Sequence, residues 1–239
     1  MKVYYDLHIH SGLSPCANND MTPNNIVNMA ILKGLNMIAV TDHNRALNVQ
    51  PTMNVAKKTD LIVVPGIEVE TVEGIHLVCY FETIESLLNF EKIIYQGLPI
   101  IENNVALLGE QYRFNSSDDI IGTENKMLLN SCHYNLNEMV ECCHSLNGIV
   151  SLAHIDRHKF SIITTMGFIP LDLSYEMIEL SNKTDEATYY KKGHKPIKPI
   201  ICNSDAHQLG DISEQVHYFE LKEKSINGLF SILRGESDA

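Results

Sequence analysis

Eleven of the 239 residues are histidine, and their spacing suggests metal chemistry. His8 and His10 form an H-x-H in DLHIH. Residues i and i+2 of an extended segment point to the same side, so both imidazoles can reach one ion. Asp42-His43 ends VTDH, Glu68 lies in PGIEVET, and His154 ends GIVSLAH. Asp205 and His207 repeat the i, i+2 spacing in NSDAH. Imidazole and carboxylate without thiolate suit catalytic Zn, Mn or Fe rather than a closed structural site. The set is too large for one four-coordinate ion. Two or three divalent ions bridged by a carboxylate fit better, an arrangement used by phosphatases and nucleases. Taken singly each piece has a plainer reading: H-x-H as a surface pair, Thr-Asp-His as a capped strand end, Asp-Ala-His as a helix start. The joint placement favours a metal site.

These residues need elements to position them. Apolar runs recur at 3–7, 37–41, 61–64, 75–81, 148–153, 177–180, 199–202 and 216–221. Most are continuous rather than alternating, which suits buried parallel strands. Helical patterns lie between several of them. Thr22-Pro23 starts one that stops at Gly34, Asn135 to Leu146 is a second, and Lys222 to Arg234 a third. Strand–helix alternation predicts a parallel α/β architecture. At least four strands then end in a candidate ligand, where α/β folds gather their active sites. The length suits a single domain spanning residues 1–239. One polar, irregular stretch at about 102–126 reads as a solvated surface insertion rather than a substrate lid.

Composition narrows the function. Lys plus Arg total 18 against 30 Asp plus Glu, a formal net charge of −12. No basic run exceeds Lys57-Lys58 or Lys191-Lys192, which disfavours a processive or duplex nuclease. A nucleotide or short nucleic-acid end still fits, because metal ions would supply the attraction. No stretch approaches the ~20 apolar residues of a membrane span, and MKVYYDLHIH is not a signal peptide. Six scattered cysteines without CxxC spacing read as thiols in a reducing cytoplasm. There is no Gx-S-x-G elbow to supply a protein nucleophile. Oligomeric state is not addressed by any of these features.

From Asp6 to His207 the segments DLHIHS, AVTDHN, PGIEVET, IHLVCYF, GIVSLAHIDR and NSDAH follow one another in an order that resembles the PHP (polymerase and histidinol phosphatase) metallo-phosphoesterase superfamily. The resemblance implies an α/β fold of the distorted (β/α)7 TIM-like barrel type, with 216–221 an extra strand or a misread segment. It implies that His8 and His10 hold one ion and that Glu68 bridges it to a second. His76 and His154 would complete the second, and Asp205 would return to the first. Asp20, His43 and His207 would hold a third. Asp20 equally suits capping of the helix that follows. His76 opens an apolar run, the wrong end of a parallel strand for a ligand, and His133 is its rival. His144, His194 and His217 are left to structure or surface.

Asp42 neighbours His43 but faces the other side of its strand, so it would orient a ligand His or a loop amide. Arg157 suits a phosphate clamp, with Arg45 and His158 as lesser candidates for substrate binding. The expected function is a metal-dependent phosphoesterase acting on a phosphate ester of a small molecule or a nucleotide end. A hydroxide bridging two ions would attack phosphorus in line with the leaving oxygen. A non-catalytic metal-binding or polymerase-accessory module is the alternative from another class. Histidinol phosphatase is the narrower one.

Overall fold

The computed structural model describes residues 1–181 and 198–235. In chain order its elements are β1 (Lys2–Ile9), α1 (Pro23–Leu32), β2 (Met37–Val40), α2 (Val49–Ala56), β3 (Ile62–Glu70), β4 (His76–Tyr80) and α3 (Ile84–Gly97). There follow α4 (Val105–Leu108), β5 (Tyr112–Phe114), β6 (Ile120–Thr123), α5 (Leu136–Ser145), β7 (Ile149–Leu152) and α6 (Ile162–Met166). The chain ends with β8 (Met177–Ser181), β9 (Ile200–Asn203), β10 (Tyr218–Glu220) and α7 (Ile226–Leu233). Each apolar run named above contributes a strand.

The main sheet has the order β10-β1-β2-β3-β4-β7-β8-β9. Its ends approach each other where Ile9 bridges Ala206, the His10 amide donates to the Ala206 carbonyl at 2.9 Å, and the Leu7 amide donates to Asn203 Oδ1 at 2.8 Å. Seven strands thereby curl into a distorted TIM-like barrel. The eighth run is the extra strand: β10 pairs antiparallel with the start of β1, Lys2 opposite Glu220.

β4 departs from the parallel rule. It runs antiparallel to both β3 and β7. Its first residue, His76, therefore lies opposite Glu70, the last residue of β3. A ligand that opens an apolar run thus reaches the same rim as ligands that close one.

Two apolar layers hold the strands. Tyr5, Leu7, Ala39, Val64, Val78, Tyr80, Met177 and Ile201 come from strands all around the barrel and pack together inside it, joined by Leu229 and Phe230 of α7. Ile38, Val40, Ile67 and Val150 pack outward against Ile26, Ala30, Val49, Phe90 and Met139 of the helices. Burial on both faces accounts for continuous apolar runs.

The helices begin where their capping residues sit. The Thr22 side chain accepts from the Asn25 amide ahead of Pro23, and Asn135 with Glu138 closes a capping box on α5. Ser225 accepts from the Gly228 amide, so α7 starts after Ser225 rather than at Lys222.

The 102–126 segment is more ordered than its polarity suggested. Glu102 and Lys126 bridge at its neck, and between them lie α4 and the β5–β6 hairpin. Phe114 is buried against Gly12, where an added Cβ would come within 3.0 Å of its ring. The Tyr112 amide donates to the Gly12 carbonyl at 2.7 Å. Gly109, at φ +99°, passes so close to the Pro15 carbonyl that a Cβ would lie 2.6 Å from it. The insertion thus braces the loop that follows β1. Among the described residues no helix is long and apolar enough to cross a membrane.

Candidate metal centre

The sequence places the site residues, and one irregularity aims the first pair. Pairing of β1 with β2 steps from Asp6–Ile38 to Ile9–Val40, so β1 carries one extra residue. Below the bulge Tyr5 and Leu7 face the barrel core, while Ile9 above it packs with the outer layer. His8 and His10 are thereby turned together onto the rim, a common use of a bulge beside an active site. His154 and Asp205 sit just past β7 and β9 at φ +27° and +52°, conformations that non-glycine residues rarely adopt.

Glu68 is the hub. Its Oε1 lies 2.9 Å from His76 Nδ1, 3.3 Å from His154 Nε2 and 3.4 Å from His8 Nε2. Its Oε2 lies 2.9 Å from His43 Nδ1 and 3.4 Å from His10 Nε2. Asp205 Oδ1 is 2.9 Å from His10 Nε2 and 3.3 Å from His8 Nε2. His207 stacks on His10 with ring centroids 4.4 Å apart. Eight of the nine expected ligands therefore meet at one rim.

The ring orientations are set from behind. His8 Nδ1 is 2.9 and 3.0 Å from the two oxygens of Glu179, which also accepts from Asn203 Nδ2. His10 Nδ1 donates to Ser14 Oγ, which in turn donates to Asp42 Oδ1 at 2.7 Å. Asp42 also accepts from the Ser11 amide and hydroxyl. It holds a loop amide directly and a histidine through Ser14. With the rings neutral, both Nε2 atoms then carry lone pairs toward the centre. They face one another at 3.3 Å. Glu68 Oε2, Asp205 Oδ1 and His154 Nδ1 are buried without a hydrogen bond. Buried lone pairs aimed at lone pairs are costly unless a cation lies between them. The residues present fit divalent ions with nitrogen and oxygen ligands.

Charge follows the same geometry. Burial opposes ionisation of Glu68, but His76, His8 and His43 outweigh it and hold the carboxyl well below its usual range. Asp205 is likewise buried and likewise lowered, by His8 and His10. Burial disfavours charged His8 and His43, yet Glu179, Asp205 and Glu68 raise the first, and Glu68 with Cys16 the second. His10 is pushed down by burial and by His207 and His43.

The structure separates the remaining predicted residues. Asp20 is exposed and lies outside the groups of side chains close enough to share an ion, and Thr22 rather than Asp20 caps α1. Cys16, not Asp20, stands beside His43 and His207: its sulfur and ligand atoms of His10, His43 and His207 all lie within 4.8 Å of one another. Arg45 does not face the site. It pairs with Glu91 and Glu124 and stacks on Tyr95 at 3.8 Å. Arg157 pairs with Asp205 Oδ2 at the cavity wall, and His158 lines the same cavity. His133 is exposed beside Tyr134, His144 pairs with Glu176 at 3.1 Å, and His217 is half-buried below β1. His194 lies outside the described residues.

Sequence reading missed Glu179, Glu70, Ser14 and Cys16. Glu179 left a signal, a lone carboxylate within the apolar MIELS strand that burial obliges to find a partner. Glu70 accepts from Ser131 Oγ at 2.7 Å and lies 3.5 Å from His76 Nε2. A cavity of 830 Å³ opens above the cluster, walled by Arg157, His158, Lys159 and Phe160. Phe160 stacks on His76 at 4.5 Å.

A 5'-3' exoribonuclease of Haemophilus influenzae is 28% identical over 106 residues, 43% of this chain and 35% of that protein. The lesion-specific endonuclease EndoQ of Pyrococcus furiosus superposes with a TM-score of 0.68 at 20% identity, over 99% of this chain and 57% of that one. An amidohydrolase of Chromobacterium violaceum, solved with bound sulfate, superposes with a TM-score of 0.61 at 17% identity, over 98% and 96% of the two chains. The chain thus spans about a third of the exoribonuclease and 57% of the endonuclease. The family model of the PHP domain matches residues 6–201, and the chain belongs to that family.

Proposed function

We propose that this protein is a metal-dependent phosphoesterase, a hydrolase acting on a phosphate ester of a small molecule or of a nucleotide or oligonucleotide end. The observation that carries the reading is the convergence of His8, His10, His43, Glu68, His76, His154, Asp205 and His207 beneath one cavity. The fold alone does not choose the bond, since it also serves an amidohydrolase.

His8, His10, Glu68 and Asp205 would hold one ion, and Glu68, His76 and His154 a second. Such ions supply Lewis acidity and a water-derived nucleophile near neutral pH. Zn, Mn and Fe all suit the inner donors. The chain's own part is to orient and to attract. Glu179 and the Asp42–Ser14 pair fix two imidazoles so that their lone pairs meet the centre. Arg157, His158 and Lys159 line the cavity with cationic or protonatable groups that suit a phosphate. A volume of 830 Å³ accommodates a nucleotide-sized ligand. Convergence of eight of the nine expected ligands argues against a non-catalytic accessory module, which would tolerate their loss.

The test is metal analysis of the purified protein, then turnover of p-nitrophenyl phosphate, bis-p-nitrophenyl phosphate, histidinol phosphate and a 5'-phosphorylated oligonucleotide. Two or three equivalents of metal with hydrolysis of at least one ester are expected. A metal-free protein inert on all four would overturn the proposal.

A further inference from the structure

The cluster divides into two chemically different halves. His8, Glu68, His154 and Asp205 offer only nitrogen and oxygen. Cys16, His43 and His207 form an outer group, and all three line the cavity. His10 touches both halves, but its Nε2 faces the inner one, 2.9 Å from Asp205 Oδ1 and 3.3 Å from His8 Nε2. The outer group is therefore a cysteine and two histidines with an open side toward the cavity. His207 Nδ1 bonds the Asp205 carbonyl at 2.8 Å, which leaves its Nε2 lone pair available.

A second observation points to a ligand. Glu68 Oε2 is buried, makes no hydrogen bond, and lies 2.9 Å from His43 Nδ1 on the edge of this group. That oxygen faces His10 Nε2 at 3.4 Å on its inner side as well, so one cation on each side would satisfy its two lone pairs. The brace from the insertion has a purpose in this setting. Gly109 on Pro15 and Phe114 on Gly12 fix the loop on which the cysteine rides.

We propose that Cys16, His43 and His207 form a thiolate-containing outer metal site that selects a thiophilic divalent ion of the zinc class over Mn²⁺ or Mg²⁺. Three protein ligands with an open fourth position are the pattern of catalytic rather than structural zinc, and Cys with His occurs among them. Thiolate donors favour Zn, whereas carboxylate and water donors favour Mg and Mn. The protein would thus carry a nitrogen–oxygen inner centre and a sulfur-bearing outer one. This rests on the metal-centre part of the proposed function and adds the identity of one ligand and the class of its ion.

The test uses protein stripped of metal and reloaded with Co²⁺. The wild type should show a near-ultraviolet thiolate-to-cobalt charge-transfer band that is absent from Cys16→Ser, while visible bands from the inner ions persist in both. Reloaded with zinc, Cys16→Ser should bind about one equivalent less than the wild type. Cys16→Asp should bind its outer ion but prefer Mn²⁺. Zinc should also protect Cys16 from iodoacetamide, read by mass spectrometry of that peptide. A wild-type protein that takes up its full complement of cobalt without the charge-transfer band overturns this inference and leaves the phosphoesterase reading standing. So does a band that survives in Cys16→Ser. A protein that takes up neither cobalt nor zinc overturns both.

Discussion

The inner and outer halves of the cluster are held in different ways. Inner side chains are almost wholly buried, His8 at 0%, Glu68 at 1% and His154 at 3% exposure. His8 is backed by Glu179, itself 1% exposed, from the middle of β8. The outer half stands on loops. Cys16 is exposed, the His207 side chain is 32% exposed, and that ring is oriented by the Asp205 carbonyl of its own loop and by stacking on His10. Residues locked by packing and buried hydrogen bonds hold a geometry more precisely than exposed residues on loops do. The inner half should therefore decide whether there is activity. The outer half should decide how much and with which ion.

The largest break comes from the hub. Glu68→Ala removes a carboxylate that lies within 3.4 Å of His8, His10, His43, His76 and His154 at once. Turnover of the best ester should fall by about a thousandfold or more, the several kcal/mol that metal polarisation contributes. Metal content should fall with it. Retained turnover in metal-depleted buffer would show that the inner half is not the centre.

Chelation tests the same half through stability. Ions that bind only the folded chain at a thousandfold over Kd add about 4 kcal/mol. For a chain of this size that corresponds to a drop in Tm of roughly 10 °C on removing them. Differential scanning calorimetry with and without a chelator reads it, and an unchanged Tm would contradict a centre coupled to folding.

A smaller effect is expected one step back from the ions. Glu179→Gln keeps an acceptor for His8 Nδ1 but loses the charge. Loss of such an outer partner lowers metal affinity by roughly 10–100-fold. Competition against a metal-chelating dye measures it. An affinity unchanged from the wild type would mean that the carboxylate serves folding alone.

How much of this was readable from the chain depends on what kind of information each feature carries. Apolar periodicity marked the strands because burial on both faces leaves a continuous run, as in 75–81. Periodicity has no sign, however, so it could not say that β4 runs backward, and His76 looked misplaced for that reason. The bulge in β1 is equally silent, because it is set by pairing with β2. Glu179 and Ser14 act from 171 and 4 residues away from the rings they orient. The first relation exists only in three dimensions. The β5–β6 hairpin was hidden by its exposure, since Phe114 is the one buried residue of its two strands. Arg45 read as a lesser candidate for substrate binding, but Glu91 and Glu124 arrive from α3 and the insertion to claim it.

The smallest effect separates the family pattern from this chain's own geometry. Asp20 is the carboxylate that motif order would assign to the outer ion, four residues beyond Cys16. It is exposed, only its carbonyl is engaged, by the Thr22 amide and Asn25 Nδ2, and it stands apart from His43 and His207. Substitutions of exposed side chains away from such features stay within about 0.5 kcal/mol. Asp20→Ala should therefore match the wild type in zinc stoichiometry, turnover and Tm, measured side by side with Cys16→Ser. Loss of metal in Asp20→Ala with none in Cys16→Ser would require the loop after β1 to rearrange on loading and bring the carboxylate in. That result would restore the family pattern at the outer half and leave the inner half untouched.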